Sequence, residues 1–164
     1  MIVWGAIGGT GTTNKRSELI IMERDEESKK NSYTAQSYLQ TLYWGLLPVH
    51  KNNLFMQDNA PIHTAYAMTA WFNCEGIRYL ISWPLYSPDL NLIEHLWLRL
   101  KELVYKLDPE LNSITNKDAQ RLRLCKVLPK AWEQILAETV QGYLDSIKSR
   151  LQAVIDASGW HTKY

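Results

Sequence analysis

Apolar residues fall in short runs early in the chain and in helical stripes later. Ile2-Val3-Trp4 and Leu19-Ile20-Ile21-Met22 are β-prone runs, and the Gly/Thr/Asn-rich stretch Gly8–Asn14 between them predicts a hairpin. A polar loop follows, with Glu23-Arg24-Asp25-Glu26-Glu27 and Lys29-Lys30. Tyr33, Ser37-Tyr38, Leu39, Leu42 and Leu46 then recur at helical spacing across 33–46. Leu54-Phe55-Met56 reads as a short buried strand, stopped by Asp58-Asn59-Ala60-Pro61. Thr64–Phe72 is helix-like, Ile77 and Tyr79-Leu80-Ile81 suggest another strand, and Trp83–Pro88 is a loop.

The clearest stripe is Ile93, Leu96, Trp97, Leu100 and Val104, an amphipathic helix. Residues 108–128 show no clear period. Within them begins a basic stretch, Lys117–Lys130, with Lys117, Arg121, Arg123, Lys126 and Lys130 against one acid, Asp118. From Trp132 to Ile155 apolar residues again repeat helically, with Gly142 a candidate break. Strands early, helices between them and helices late predict an α/β class with a helical C-terminal end. We expect a core over 1–107 and a helical part over 108–164.

Composition narrows the class. The chain has 164 residues, 46% of them hydrophobic and 21% charged, enough for one domain with a core and too apolar for a disordered chain. Its 18 Lys+Arg against 17 Asp+Glu leave a net charge of +1, so bulk charge is not its means of gripping nucleic acid, although a local basic face is compatible. Cys74 and Cys125 lie far apart with no paired His or Cys, which is neither a disulfide framework nor a zinc pattern. The apolar runs Ile2–Gly9 and Leu42–Val49 are shorter than the ~18–20 residues of a membrane span, and the N-terminus lacks a signal-peptide pattern. A soluble intracellular protein is expected.

Two acids sit where elements change. Asp58 follows the Leu54–Met56 run, at the strand edge where open α/β sheets place ligands. Glu94 lies at the start of the amphipathic helix, beside its apolar stripe. Plainer readings exist for both. Asp58 would serve as an Asx-turn residue, and Asn91 with Glu94 would form a capping-box-like pair. Asp89 would be a helix-start residue, and His63 and His95 ordinary histidines. The chemical alternative is metal-assisted phosphoryl transfer, in which hard oxygen ligands hold two ions ~3.5–4 Å apart. Mg²⁺ takes few protein carboxylates plus phosphate and water, so no His or Cys cluster is required.

The motifs Gln57-Asp58-Asn59-Ala60-Pro61-Ile62-His63-Thr64, Trp83-Pro84 and Tyr86-Ser87-Pro88-Asp89-Leu90-Asn91-Leu92-Ile93-Glu94-His95-Leu96-Trp97 closely resemble the catalytic core of mariner-superfamily DDE transposases. Thirty-five residues separate Asp58 from Glu94, within the spacing of that family's second and third carboxylates. Val3-Trp4-Gly5-Ala6, Leu151–Ile155 and Gly159 also look like family segments, so the likeness spans nearly the whole chain. It implies an RNase H-like mixed sheet with flanking helices. It also implies a carboxylate triad holding two Mg²⁺ or Mn²⁺ ions, strand cleavage by water, and strand transfer by a 3′-hydroxyl. Asp58 and Glu94 match the second and third acids and would be metal ligands. Asn59, His63 and Asn91 match motif positions near the site, and Lys117, Arg121, Arg123 and Lys126 are candidate phosphate contacts. The basic stretch reads equally well as a solvated helix face. The partners implied are DNA, as transposon ends and target, and a second copy in a homodimer. No small-molecule substrate is implied, and the location would be the nucleus.

Three departures qualify the likeness. The family's first aspartate lies on a strand upstream of the segment resembling Val3-Trp4-Gly5, a position this sequence does not include. Asp25 and the neighbouring glutamates read instead as a solvated loop. The family's N-terminal helix-turn-helix is also outside the sequence, and Leu92 stands where proline is usual. The expectation is a truncated catalytic domain, its first strand missing, inactive alone. The alternative is a non-catalytic remnant that binds DNA or a partner through Lys117–Lys130 and the Trp132–Ile155 helix.

Overall fold

A computed structural model describes residues 1–8, 16–50, 53–81, 83–84 and 87–164. Most of the predicted hairpin turn, Gly9–Asn14, and Tyr86 of the second motif lie outside the described residues. The described residues fall into two compact units, one of residues 1–84 and one of residues 87–164.

In the first unit, β1 (Val3–Trp4) pairs antiparallel with β2 (Ile20–Ile21), Val3 opposite Ile21 and Trp4 opposite Ile20. The ladder continues past the strands: Met22 N–H donates to the Ile2 carbonyl at 3.0 Å and Ser17 N–H to the Ala6 carbonyl at 2.8 Å. Helix α1 (Ala35–Gly45) starts on a reciprocal capping box, in which the Thr34 hydroxyl accepts from the Ser37 N–H and the Ser37 hydroxyl from the Thr34 N–H. Thr34 also donates to Asp25 Oδ2 at 2.7 Å, so the acidic loop seats the start of the helix. Helix α2 (Tyr66–Cys74) follows the first motif.

The core of this unit joins Trp4 and Met22 of the ribbon, Tyr38, Leu42 and Leu46 of the α1 segment, and Met68, Phe72 and Ile77. Full burial of each large apolar side chain is worth ~1.5–3 kcal/mol. Gly45 ends α1 against the Trp4 ring, where a Cβ would stand 2.3 Å from Cζ3. The segments 54–56 and 77–81 were expected as strands. They meet in one parallel bridge, Phe55 with Tyr79, held by Phe55 N–H to the Arg78 carbonyl and Leu80 N–H to the Phe55 carbonyl. Both rings pack on Phe72, with centroids 5.7 and 4.7 Å away. A pairing this short gains its order from those rings rather than from a ladder. Among the described residues the fold is therefore mixed α/β, with a two-stranded antiparallel sheet in place of the larger mixed sheet expected.

The second unit is helical. α3 (Ile93–Leu107) buries Leu96, Leu100, Leu103 and Val104 along the stripe anticipated for it. A 3-10 turn (Pro109–Ser113) leads to α4 (Lys117–Glu133), whose Asn116 cap accepts from the Asp118 and Ala119 N–H groups. Trp132 of α4 stacks on Trp97 of α3, centroids 5.6 Å apart. α5 (Ala137–Asp156) runs straight through exposed Gly142. The candidate break at Gly142 is not one, and the helices part at residues 134–136. There Ile135 is buried in a turn (its N–H on the Trp132 carbonyl) and so imitates a helical core position in the sequence.

Candidate active site

The first acid is held from two sides. Tyr38, buried on α1, donates its hydroxyl to Gln57 Oε1 at 2.8 Å, and Gln57 Nε2 donates to the His63 carbonyl at 3.0 Å. This pins both ends of the segment Gln57–His63. Within it Asp58 Oδ1 accepts from the Ala60 N–H at 3.0 Å and meets His63 Nδ1 at 2.5 Å. The His63 ring lies 4.2 Å from the Tyr38 ring, tilted by 34°. Burial pushes the Tyr38 hydroxyl well above its ordinary value, and the Asp58 charge pushes the same way. The Asx turn anticipated as the plainer reading does form, and it coexists with an exposed carboxylate: the Asp58 side chain keeps 51% of its surface. With Oδ1 engaged twice, Oδ2 is the oxygen left to a ligand. Asn59 donates its amide to the Trp83 carbonyl at 2.9 Å, joining two of the sequence motifs within this unit.

The second acid, Glu94, is exposed in the first turn of α3. Asn91 does not cap this helix. The cap residue is Leu92, in helical conformation (φ −56°, ψ −28°) with no side-chain bond, and the Glu94 N–H goes to the Asn91 backbone carbonyl at 3.1 Å. The capping-box reading of Asn91 and Glu94 therefore fails. Leu90 and Leu92 are both buried, and successive turns from Ser87 and Pro88 carry the chain into the helix before Asn91 could cap it. Among the described residues no hydrogen bond or ion pair engages the Glu94 carboxylate.

Beside Glu94 lies a network the sequence did not announce. Arg150 of α5, 5% exposed, donates Nη1 to the Asp89 carbonyl and to His95 Nε2, both at 2.8 Å, and Nε to the Ser146 hydroxyl at 2.8 Å. Its guanidinium covers the Tyr164 ring at 4.5 Å, and His95 stacks on Tyr143 at 5.3 Å. Asp89 Oδ2 accepts from the Thr162 hydroxyl at 3.0 Å. Burial, then the Arg150 charge, holds the His95 imidazole below its ordinary value, with Glu94 opposing. Arg150 lies 55 and 61 residues from its partners in the motif, a separation that local spacing cannot reveal.

Of the basic candidates, Lys117, Arg121 and Lys126 stand exposed on α4. Arg123 is committed elsewhere: its guanidinium grips the buried Asp108 carboxylate and reaches Glu110 at 3.4 Å. Among the described residues no group of three His, Cys, Asp or Glu side chains could hold a metal, and no helix is long and apolar enough to cross a membrane. Asp58 lies in the first unit and Glu94 in the second. Each offers carboxylate oxygens to solvent, the donor chemistry that hard divalent cations take.

Two exposed acids, Asp58 in the Asp-Asn-Ala-Pro segment and Glu94 in the first turn of α3, thus mark an α/β chain whose family is established by comparison. The chain belongs to the DDE superfamily endonucleases, whose family pattern matches residues 9–115, well over half of its length. That superfamily works with divalent metal ions. The chain is 34% identical over 166 aligned residues to the transposable element Tc1 transposase of Caenorhabditis elegans, covering 100% of this chain and 54% of the relative. It is 32% identical to the Tcb1 transposase of Caenorhabditis briggsae with the same coverage. To the Tc3 transposase of C. elegans it is 30% identical, over 97% of this chain and 44% of the relative. The chain thus spans about half the length of these relatives.

Proposed function

We propose that these residues are the catalytic part of a cut-and-paste DNA transposase, with transposon ends and target DNA as substrates and the nucleus as the place of action. The observation that carries this reading is the preparation of Asp58. A network of Tyr38, Gln57, His63 and the Ala60 N–H fixes one carboxylate oxygen and leaves the other exposed. Asp58 and Glu94 are the residues that would hold Mg²⁺ or Mn²⁺. Bound divalent ions supply charge neutralisation at the scissile phosphate and activation of the attacking oxygen.

The protein's own part is positional. The Asp58 segment is anchored: Gln57 is tied to Tyr38 of α1 and to the His63 carbonyl, and Asn59 to Trp83. In-line attack by water would release a 3′-hydroxyl, and that hydroxyl would then attack a target phosphate.

The test is cleavage and strand transfer on labelled transposon-end DNA with Mg²⁺ or Mn²⁺. It uses a polypeptide extended upstream to the length of the relatives. Cleavage is expected, with loss on Asp58→Ala and on Glu94→Ala. Extended protein unaffected by either substitution would overturn the site.

A further inference from the structure

We propose that Arg150 is a positioning residue for Glu94: it fixes the first turn of α3 from both sides of the acid. The inference rests on the reading of Glu94 as a metal ligand, and it starts from what Glu94 lacks. Its carboxylate takes no hydrogen bond or ion pair among the described residues, and the helix it opens has no side-chain cap. The capped starts of α1 and α4 show what a cap does for a helix start; α3 has to be located by other means.

Arg150 provides them. One nitrogen of its guanidinium bonds the Asp89 carbonyl, in the turn leading into α3, and His95 Nε2, one residue beyond Glu94. The same group is braced within α5 by Ser146 and covered by Tyr164. With Nε tied to Ser146, the rigid planar guanidinium fixes the directions of both Nη1 N–H bonds, whereas a lysine ammonium turns freely on a flexible stem.

Its burial is unusual. A fully charged group 5% exposed normally faces a carboxylate, yet the acceptors of Arg150 are a carbonyl, a hydroxyl and a ring nitrogen. Asp89, the acid of this network, gives its Oδ2 to Thr162 instead. A buried cation without a counter-anion is costly to keep, and a packed apolar residue would serve stability better. What the cation uniquely gives is a fixed position for the turn that carries Glu94.

The test uses the 164-residue chain. Amide hydrogen exchange is followed residue by residue in wild type, Arg150→Lys and His95→Phe, the last keeping a ring against Tyr143 but removing the acceptor. The Glu94 amide, bonded to the Asn91 carbonyl, is expected to exchange about tenfold faster in Arg150→Lys and several-fold faster in His95→Phe. Leu100, Leu103 and Val104 should keep their rates. A rise shared along the whole of α3, or no rise at Glu94, would overturn the proposal in favour of a plain structural staple. If Arg150→Lys does not fold, His95→Phe decides by the same criterion. Mn²⁺ titration monitored by water-proton relaxation supplies the second readout. Arg150→Lys should weaken binding about tenfold, as supporting residues around a metal site commonly do, and match Glu94→Gln. Unchanged binding in Arg150→Lys where Glu94→Gln is weakened would also overturn it. Unchanged binding in Glu94→Gln would instead remove the ligand reading of Glu94, leaving the exchange result to judge Arg150.

Discussion

His63 Nδ1 stands 2.5 Å from Asp58 Oδ1, the same oxygen that accepts the Ala60 N–H. The pair is partly exposed, so its value for stability is small, and its consequence is orientation. His63→Ala should leave the urea midpoint almost unchanged. In the upstream-extended protein it should lower strand cleavage about 10–100-fold, the usual cost of losing a residue that orients a metal ligand. Unchanged cleavage would show that Ala60 alone suffices to orient Asp58.

Tyr38 links that site to the core and sets an alkaline limit. Its pKa is raised in the folded chain, chiefly by burial. The unfolded chain therefore loses this proton first as pH rises. The stability that Tyr38 contributes is fully present below about pH 10, its ordinary value, and falls as pH climbs above it. Urea midpoints from pH 8 to 11 should drop for wild type and drop less for Tyr38→Phe. At pH 7 the Phe variant should be about 1 kcal/mol less stable, through the hydrogen bond lost from Gln57.

His95 sets the opposite limit. Its pKa is lowered in the folded state by burial and by Arg150, so the unfolded chain takes up the proton first as pH falls. The contribution is fully present above about pH 6.5 and is lost as pH falls through the lower, folded value. The fall in urea midpoint between pH 7.5 and 5 should be shallower in His95→Gln, whose amide can still accept from Arg150. An identical fall in both would show that other groups carry the acid sensitivity.

Gly45→Ala tests packing against propensity. Alanine is the better helix former by ~1 kcal/mol, but its Cβ would meet Trp4 Cζ3 at 2.3 Å, Cε3 at 2.7 Å and Ile20 Cδ1 at 2.8 Å. Overpacking of a ring backed by a strand should win, with a net loss of about 1–3 kcal/mol in chemical denaturation. A stabilised variant would mean that the ribbon yields easily.

On α4, the exposed Lys117, Arg121 and Lys126 are separable from Arg123, which holds buried Asp108. If this face contacts phosphates, each of the three changed to Gln should reduce the slope of log affinity against log salt by ~0.9 on duplex DNA. Arg123→Gln should act mainly on the melting temperature. Equal slopes in all four variants would assign the stretch to solvent.

Where local spacing carried the information, the structure was legible. Tyr38, Leu39, Leu42 and Leu46 announce α1, and the Ile93–Val104 stripe announces α3 to within a turn of its end. Residues 108–128 resisted because α4 presents Leu122 to solvent at 66% exposure and is held instead by its Asn116 cap and by Leu128 and Trp132. Ile135 disguised the break between α4 and α5 by being buried in a turn. At the site, Asp58 and Glu94 could be singled out from their motifs. Their supports could not, since Tyr38 lies 19 residues from Gln57, and Arg150 lies 61 from Asp89. Contacts of that range have no periodic trace.

The bond from Arg150 to the Asp89 carbonyl spans 61 residues, and this gives the motif helix a schedule. At ~5–20 residues per second on the ribosome, ~3–12 s pass between synthesis of the turn before Glu94 and arrival of the arginine that braces it. During that interval α3 can coil and bury its leucines, but the acid at its head has nothing to aim it. The helix is made early and the aim comes late, so a nascent chain would hold an unaimed carboxylate until its last helix had docked.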